Sequence, residues 1–370
     1  MTELKLENIK RVVVRGPNWV GDAVMTVPAL RELRRLFPDA HLTLATRSFA
    51  KGIFDGADFI DEVLVHDRGP GGFRNVSAQA REWRSRRFDL AILFPNAFEA
   101  ALIAFLGRAR FRIGYATQGR SLLLTHPLAL PEWRDSRHES FYYLNIIVEL
   151  ELLLNGRSEI PEQQPTFDLS ISTDRQAEAL DLLRTQGARK GHPLVALCPG
   201  SINSRAKRWP ADRYAVLADR LIKELGADVV LIGSEAELAV SLEVSQQMKN
   251  EPIVLTGKTD LARAVAVLNE VDLLVTNDTG PGHIAAALGR PTLVIFGPTN
   301  PLTTRPLSPV AEIVRHPPDC APCMLRDCPI DHRCMTAITP DEVFARATSM
   351  LGRQAMTDKL QSGELSTTRC

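Results

Sequence analysis

Residues 277–299, NDTGPGHIAAALGRPTLVIFGPT, constrain the fold more than any other stretch, because they place one short helix between two apolar runs, 273–276 and 292–296. Two buried strands joined by such a helix make a parallel βαβ unit. Ligands of these units lie beyond the C-terminal end of the strand, so Asp278, Thr279 and Gly280 are expected to face one. Gly280 and Gly282 would let the backbone approach a phosphate. A helix opening near His283 would add N–H groups and the positive end of its dipole. Ala285, Ala286 and Ala287 would let that helix lie tight on the sheet. Asp278 and Thr279 could equally serve only as helix caps, a position both residue types favour.

At 370 residues the chain exceeds one comfortable core, which predicts two domains. Its 45% apolar and 24% charged residues are those of a soluble globular protein. No apolar run approaches a membrane span. The N-terminus, MTELKLENIK, has acids and lysines where a signal peptide needs an apolar core, so a cytoplasmic enzyme is expected. Formal net charge is zero, yet residues 68–120 hold ten arginines against Glu82, Asp89 and Glu99. A solvated helical face accounts for part of that surplus. The rest favours an anionic partner for the N-terminal half, without calling for nucleic acid.

Strands are expected at 11–15, 41–45, 62–66, 89–94 and 111–114, with helices over 23–36, 78–86, 97–106 and 140–155. After a polar, proline-bearing linker starting at 158–165, the alternation restarts. Strands are expected at 194–198, 228–232, 253–255, 273–276 and 292–296, and helices over 174–186, 211–225, 235–248, 261–269 and 340–351. The expected architecture is α/β of the GT-B type: two Rossmann-like, doubly wound parallel sheets with a cleft between them. Domain limits of 1–165 and 166–353 follow, the last helix being free to pack back on the N-terminal domain, and 354–370 reads as a disordered tail.

Gly16-Pro-Asn-Trp-Val-Gly21 follows a strand and opens a helix, as a phosphate-binding loop does. It then departs from that pattern, with Asp22 and Ala23 where a nucleotide-hydrolysing loop carries Lys and Ser or Thr. A carboxylate there repels phosphate but can accept a proton from a sugar hydroxyl. A helix N-cap is the plainer role for Asp22. In PGSINSRAKRWP, residues 199–210, Ser201, Lys207 and Arg208 lie between a strand and a helix, and Lys207 is placed to neutralise a diphosphate unless it is merely solvated. Glu235 and Glu237 follow another strand and could bind ribose hydroxyls or act as first-turn helix acids. No Asp-x-Asp pair is present to hold a divalent ion on a nucleotide-sugar. Cys320, Cys323, Cys328 and Cys334 crowd one short segment, with His332 among them. A structural zinc, an iron–sulfur centre or reduced thiols packing a loop are all open readings.

GPNWVGDAVMTVPAL, AKRWP, the 277–299 stretch and the cysteine segment, in this order, resemble the ADP-heptose:lipopolysaccharide heptosyltransferase family from about residue 11 to 351. Asn18 to Asp22, 207–210 and the cysteines resemble the members that add the second inner-core heptose more than those that add the first. The resemblance implies a GT-B fold, inverting transfer without a metal or other cofactor, and ADP-L-glycero-D-manno-heptose as donor. It implies a heptosyl-Kdo-lipid A-type acceptor, reached at the inner face of the cytoplasmic membrane. By motif, Asp22 is implied as base, Lys207 as phosphate-binding lysine, and Asp278, Thr279, Gly280 and His283 as donor turn. Glu235 and Ser201 match more loosely. Transfer to Kdo itself, a nucleotide-sugar epimerase of the same architecture, and a silent sugar-nucleotide-binding protein stay open.

Overall fold

The computed structural model describes residues 6–67, 72–160 and 165–361. The chain divides into two compact units, Met1–Leu169 and Ser170–Cys370.

The first unit is a six-stranded, all-parallel sheet of β1 (Arg11–Arg15), β2 (His41–Thr46), β3 (Glu62–Val65), β4 (Leu90–Leu93), β5 (Phe111–Tyr115) and β6 (His126–Leu128). Their order is β3-β2-β1-β4-β5-β6. Val12, Val13 and Val14 of β1 are all buried, as a parallel strand covered on both faces requires. The helix Val27–Leu36 turns Ala29, Leu30, Leu33 and Leu36 inward and packs on Glu139–Asn155. Buried Glu151 fastens that second helix: it accepts from Arg35 (2.8 Å), from Ser158 (2.7 Å) and from the Glu159 amide (3.0 Å).

The second unit repeats the plan. Its strands are β7 (Leu194–Cys198), β8 (Asp228–Leu231), β9 (Ile253–Val254), β10 (Leu273–Asn277), β11 (Thr292–Phe296) and β12 (Ala311–Arg315), all parallel, in the order β12-β11-β10-β7-β8-β9. Numbered within its own unit, this is the same Rossmann order. Strand order therefore reverses at two switch points, one between β1 and β4, the other between β7 and β10.

Four expectations are corrected. The helix expected over 23–36 is two helices, Val20–Met25 and Val27–Leu36, divided at Thr26 because Pro28 brings no N–H to the second one's first turn. β6 and β12 were not expected. The helix expected over 235–248 begins as a 3₁₀ turn, Glu235–Glu237, before Leu238–Gln247. The last helix runs Pro340–Gln361, so 354–361 continue it; it buries Val343, Phe344, Ala347 and Met350 in the second unit's core. Residues 161–164 of the expected linker and 362–370 of the expected tail lie outside the described residues.

Candidate active site

The β7/β10 switch point is held open and rigid by Asn277, the last residue of β10 and wholly buried. Its amide nitrogen donates to the carbonyls of Pro199 (2.8 Å) and Gly200 (3.1 Å) beyond β7, and its oxygen accepts from the Trp209 amide (3.0 Å) and the Tyr214 hydroxyl (3.1 Å). One side chain thus joins both strand ends to the loop carrying Lys207. In that loop the Arg208 guanidinium donates to the Ser201 carbonyl (2.9 and 3.2 Å), which folds the Ser201 turn back on itself.

Lys207 Nζ donates to the Asp278 carboxylate (2.9 Å) and carbonyl (3.2 Å). The same carboxylate oxygen accepts from the Thr299 hydroxyl (2.7 Å). Asp278 is 5% exposed, whereas the Lys207 side chain is 27% exposed. An ammonium has three protons, so one remains for a ligand on the open side. The capping alternative fails: Asp278 is committed to Lys207 and Thr299. Thr279 does occupy the N-cap of Gly280–Ala287, but its hydroxyl bonds to Thr276 and the Asn277 carbonyl instead of capping. Gly282 has a packing role. A Cβ there would meet Thr276 Cγ2 at 3.1 Å and Val294 Cγ2 at 3.5 Å, so this glycine lets the helix lie on the sheet. His283 is buried, and burial pushes its pKa down to about 4, with Asp278 opposing and Lys207 assisting. It is therefore neutral near pH 7.

The two acids after β8 separate. Glu237 is buried, and its Oε2 accepts from the Ser234 amide (2.9 Å) and hydroxyl (2.8 Å) as a capping box. It also lies over Gly200, where any Cβ would meet Glu237 Oε1 at 2.3 Å. Glu235 stays exposed.

In the first unit, Asp22 follows β1 at the β1/β4 switch point. It is the third residue of Val20–Met25; Trp19 takes the N-cap position, so Asp22 is not a cap. Its charge adds to the burial that holds the Tyr143 hydroxyl well above its ordinary pKa. Arg120, wholly buried, braces this edge: it donates to the carbonyls of Tyr115 (2.8 Å), Pro95 and Ala97 and to Asn96 Oδ1. Without an acid beside it, burial lowers its pKa to about 10.

The profile of glycosyltransferase family 9, the heptosyltransferases, matches residues 76–333. The chain belongs to this family. Lipooligosaccharide heptosyltransferase 2 of Haemophilus influenzae is 32% identical to it over 311 residues, covering 82% of this chain and 88% of that one. Lipopolysaccharide heptosyltransferase 2 of Escherichia coli is 28% identical over 313 residues with the same coverage. The solved structure of E. coli ADP-heptose lipopolysaccharide heptosyltransferase II superposes with a TM-score of 0.80 at 25% identity, covering 93% of this chain and 99% of that one. Family and GT-B fold class are those expected from the motifs.

Within this glycosyltransferase family 9 chain, Ser201, Lys207, Asp278, Thr279, Gly280 and His283 are brought to one switch point, and Asp22 stands at the other. Sequence reading assigned no role to Asn277, Thr299 or Arg120. An apolar strand, Leu273 to Val275, closing on Thr276 and Asn277 immediately before the Asp-Thr-Gly turn, is the signal that would have marked Asn277. The cysteine segment packs on the Lys207 loop: the Ala206 amide donates to Arg326 O (2.9 Å), and Ser204 Oγ to the carbonyls of Leu325 and Arg326 (3.2 Å each). His332 Nε2 lies 2.5 Å from Ala206 O and is thereby committed to that carbonyl. Cys320, Cys323, Cys328 and Cys334 line one cavity of about 20 Å³. Among the described residues, no three His, Cys, Asp or Glu side chains stand in a metal-holding arrangement.

Proposed function

We propose that the chain transfers L-glycero-D-manno-heptose from ADP-L-glycero-D-manno-heptose to the first heptose of the lipopolysaccharide inner core, on a heptosyl-Kdo-lipid A-type acceptor. The second unit is the ADP-sugar-binding domain and the first unit the acceptor domain. The observation that carries this reading is Lys207, fixed by Asp278 and Thr299 beside Thr279 and Gly280 at a switch point, in a chain of a heptosyltransferase family.

The acceptor hydroxyl attacks the anomeric carbon of the heptose, its proton passes to Asp22, and the bond to the diphosphate breaks to release ADP. Attack on the face opposite the leaving group inverts the anomeric centre. The remaining Lys207 proton and the N-terminal turn of Gly280–Ala287 meet the charge growing on the departing diphosphate. Asp278 and Thr299 aim the lysine, Glu235 takes the ribose, Ser201 shapes the wall, and neutral His283 adds no charge to the cradle. With no Asp-x-Asp pair, turnover needs no dissolved divalent ion. It should persist in EDTA, and loss of activity restored by magnesium would count against this.

Among the described residues no helix is long and apolar enough to cross a membrane. The enzyme works in the cytoplasm, its arginine-rich first unit suited to the anionic inner face of the membrane. The test is incubation with ADP-heptose and a panel of truncated core acceptors, following ADP release and product mass. A heptose added only to the heptosylated acceptor supports the reading. Addition to Kdo alone would move the chain to first-heptose transfer, and an altered sugar released without acceptor would make it an epimerase.

A further inference from the structure

The helix Phe98–Leu106, FEAALIAFL, is apolar on every side, a pattern that belongs to a helix covered all round. This one is covered on one side only. Ala100, Ala101, Ile103 and Ala104 are buried, the last three in the core shared with the neighbouring helix Gly72–Arg86. Phe98, Phe105 and Leu106 are exposed, Phe105 to 45%, and Leu102 is half-buried. Spaced i, i+4, i+7 and i+8, these four form one outward stripe, so the helix gives its alanines to the core and most of its bulky residues to the surface. Leu122, 92% exposed on the 3₁₀ turn Arg120–Leu123, extends the stripe. Arg112 joins the pieces. Its guanidinium lies over the Phe105 ring (5.5 Å) and donates to the carbonyls of Ala109 (2.6 Å) and Leu123 (2.7 Å).

The charge around the stripe has one sign. The chain has 44 acids in 370 residues, yet residues 100–131 hold none, while Arg108, Arg110, Arg112 and Arg120 fall among them. Arg81 and Arg84 are exposed on Gly72–Arg86. Trp83 of that helix lies against Gly107, where a Cβ would meet Trp83 Cβ at 2.8 Å, so Arg84 stands at the same end of the stripe as the exposed Arg108 and Arg110. Of the acids on these two helices, Glu82 pairs with Arg86 (3.4 Å), and Glu99 sits in the first turn of Phe98–Leu106. Burial lowers the pKa of Arg112 with no acid opposing it. We propose that this stripe and its arginines dock the first unit on an anionic phospholipid bilayer, the Phe and Leu side chains sinking to the headgroup boundary and the guanidiniums meeting lipid phosphates.

A bilayer answers both halves of the pattern at once. A helix lying in the interface buries its apolar face at the acyl boundary, and basic side chains beside it reach the phosphates. A second copy of this chain fits less well, because a two-fold contact through the same patch would set the arginines of one copy against those of the other. The purpose of docking rests on the lipid-linked acceptor proposed above: it holds the enzyme where that acceptor is, using no residue of the donor turn and not Asp22.

The test is co-sedimentation of the full chain with vesicles of phosphatidylcholine alone or mixed with phosphatidylglycerol. The wild type should partition to the phosphatidylglycerol vesicles and be released by salt. Phe105→Glu, and separately Arg84→Glu combined with Arg110→Glu, should weaken partitioning at least about tenfold. Melting temperature, ADP binding and turnover of a water-soluble truncated acceptor should stay at wild-type values, while turnover of the same core carried in vesicles falls with partitioning. Should Phe105→Glu fail to fold, the arginine pair, lying at the surface, decides. A wild type that does not partition, or folded variants that partition as it does, would overturn the docking surface. So would a concentration-dependent dimer dissolved by Phe105→Glu, which would hand the stripe to a second copy. Vesicle binding lost in the variants, beside a wild type that transfers heptose to neither form of acceptor, would keep the surface and strike the proposed function instead.

Discussion

The two units share one strand order but manage charge at their switch points in opposite ways. In the second, the cation is paired: Lys207 rests on the buried carboxylate of Asp278, itself held by Thr299, and only part of its charge faces outward. In the first, Arg120 is buried against carbonyls and an amide oxygen, so its positive charge is satisfied by dipoles but not cancelled. Elsewhere in this unit His66 is pushed down to about 4 by burial and then by Arg15, Arg86 and Arg47, with Asp67 opposing. A paired lysine offers a directed hydrogen bond, whereas an unpaired guanidinium offers a standing positive potential. On the function proposed above, the first suits a diphosphate that must bind and leave in each turnover, and the second suits the anionic surroundings of a core acceptor.

The comparison can be broken hardest at Asp22. Asp22→Asn should fold, bind ADP with near-normal affinity and transfer heptose at least about a hundredfold more slowly, the low end of general-base contributions. Wild-type turnover of the Asn variant at saturating substrates would remove Asp22 from the chemistry. Next, Lys207→Ala should weaken ADP-heptose binding about tenfold to a hundredfold, the worth of a hydrogen bond to a charged group, as titration calorimetry can measure. An unchanged Kd would mean that the lysine serves only Asp278. Third, Arg120→Met leaves the Tyr115 and Pro95 carbonyls unsatisfied and should cost on the order of 2 kcal/mol of first-unit stability in denaturant, with ADP binding preserved. Loss of ADP affinity in that variant would show the two switch points are not independent. The last effect is on pH. His66 and His283 both titrate near 4 when folded and near 6.5 when unfolded. Stability from keeping them neutral is complete above 6.5 and is lost as pH falls toward 4, because the unfolded chain then binds protons the folded one refuses. Melting temperatures across that window should drop, and His283→Gln should flatten the drop.

Most of the sheet plan was legible because parallel strands buried on both faces read as continuous apolar runs, as β1, β7, β10 and β11 do. The two strands that escaped notice are edges. β6 is three residues long with Pro127 inside it, and β12 leaves four of its five residues only half-buried. Lys207 and the Asp278 turn were legible as positions after strands, but the pairing with Thr299 was not, since it crosses a whole helix and strand. That Glu237 is spent on its own helix was readable in principle. Ser234 three residues before Glu237 is a capping-box spacing, and a carboxylate spent on its own helix is not free for a sugar.

Asn277 has one more consequence, and it concerns time. All four hydrogen bonds its amide can make are made, in a place water does not reach. Opening either turn beside it strands at least one buried polar atom, so these loops should not fray on their own. The Trp209 amide, which donates to Asn277, is then expected to exchange its hydrogen only as fast as the centre of the sheet does, in step with unfolding of the whole second unit. The turns around the donor would keep their shape for as long as the fold itself lasts.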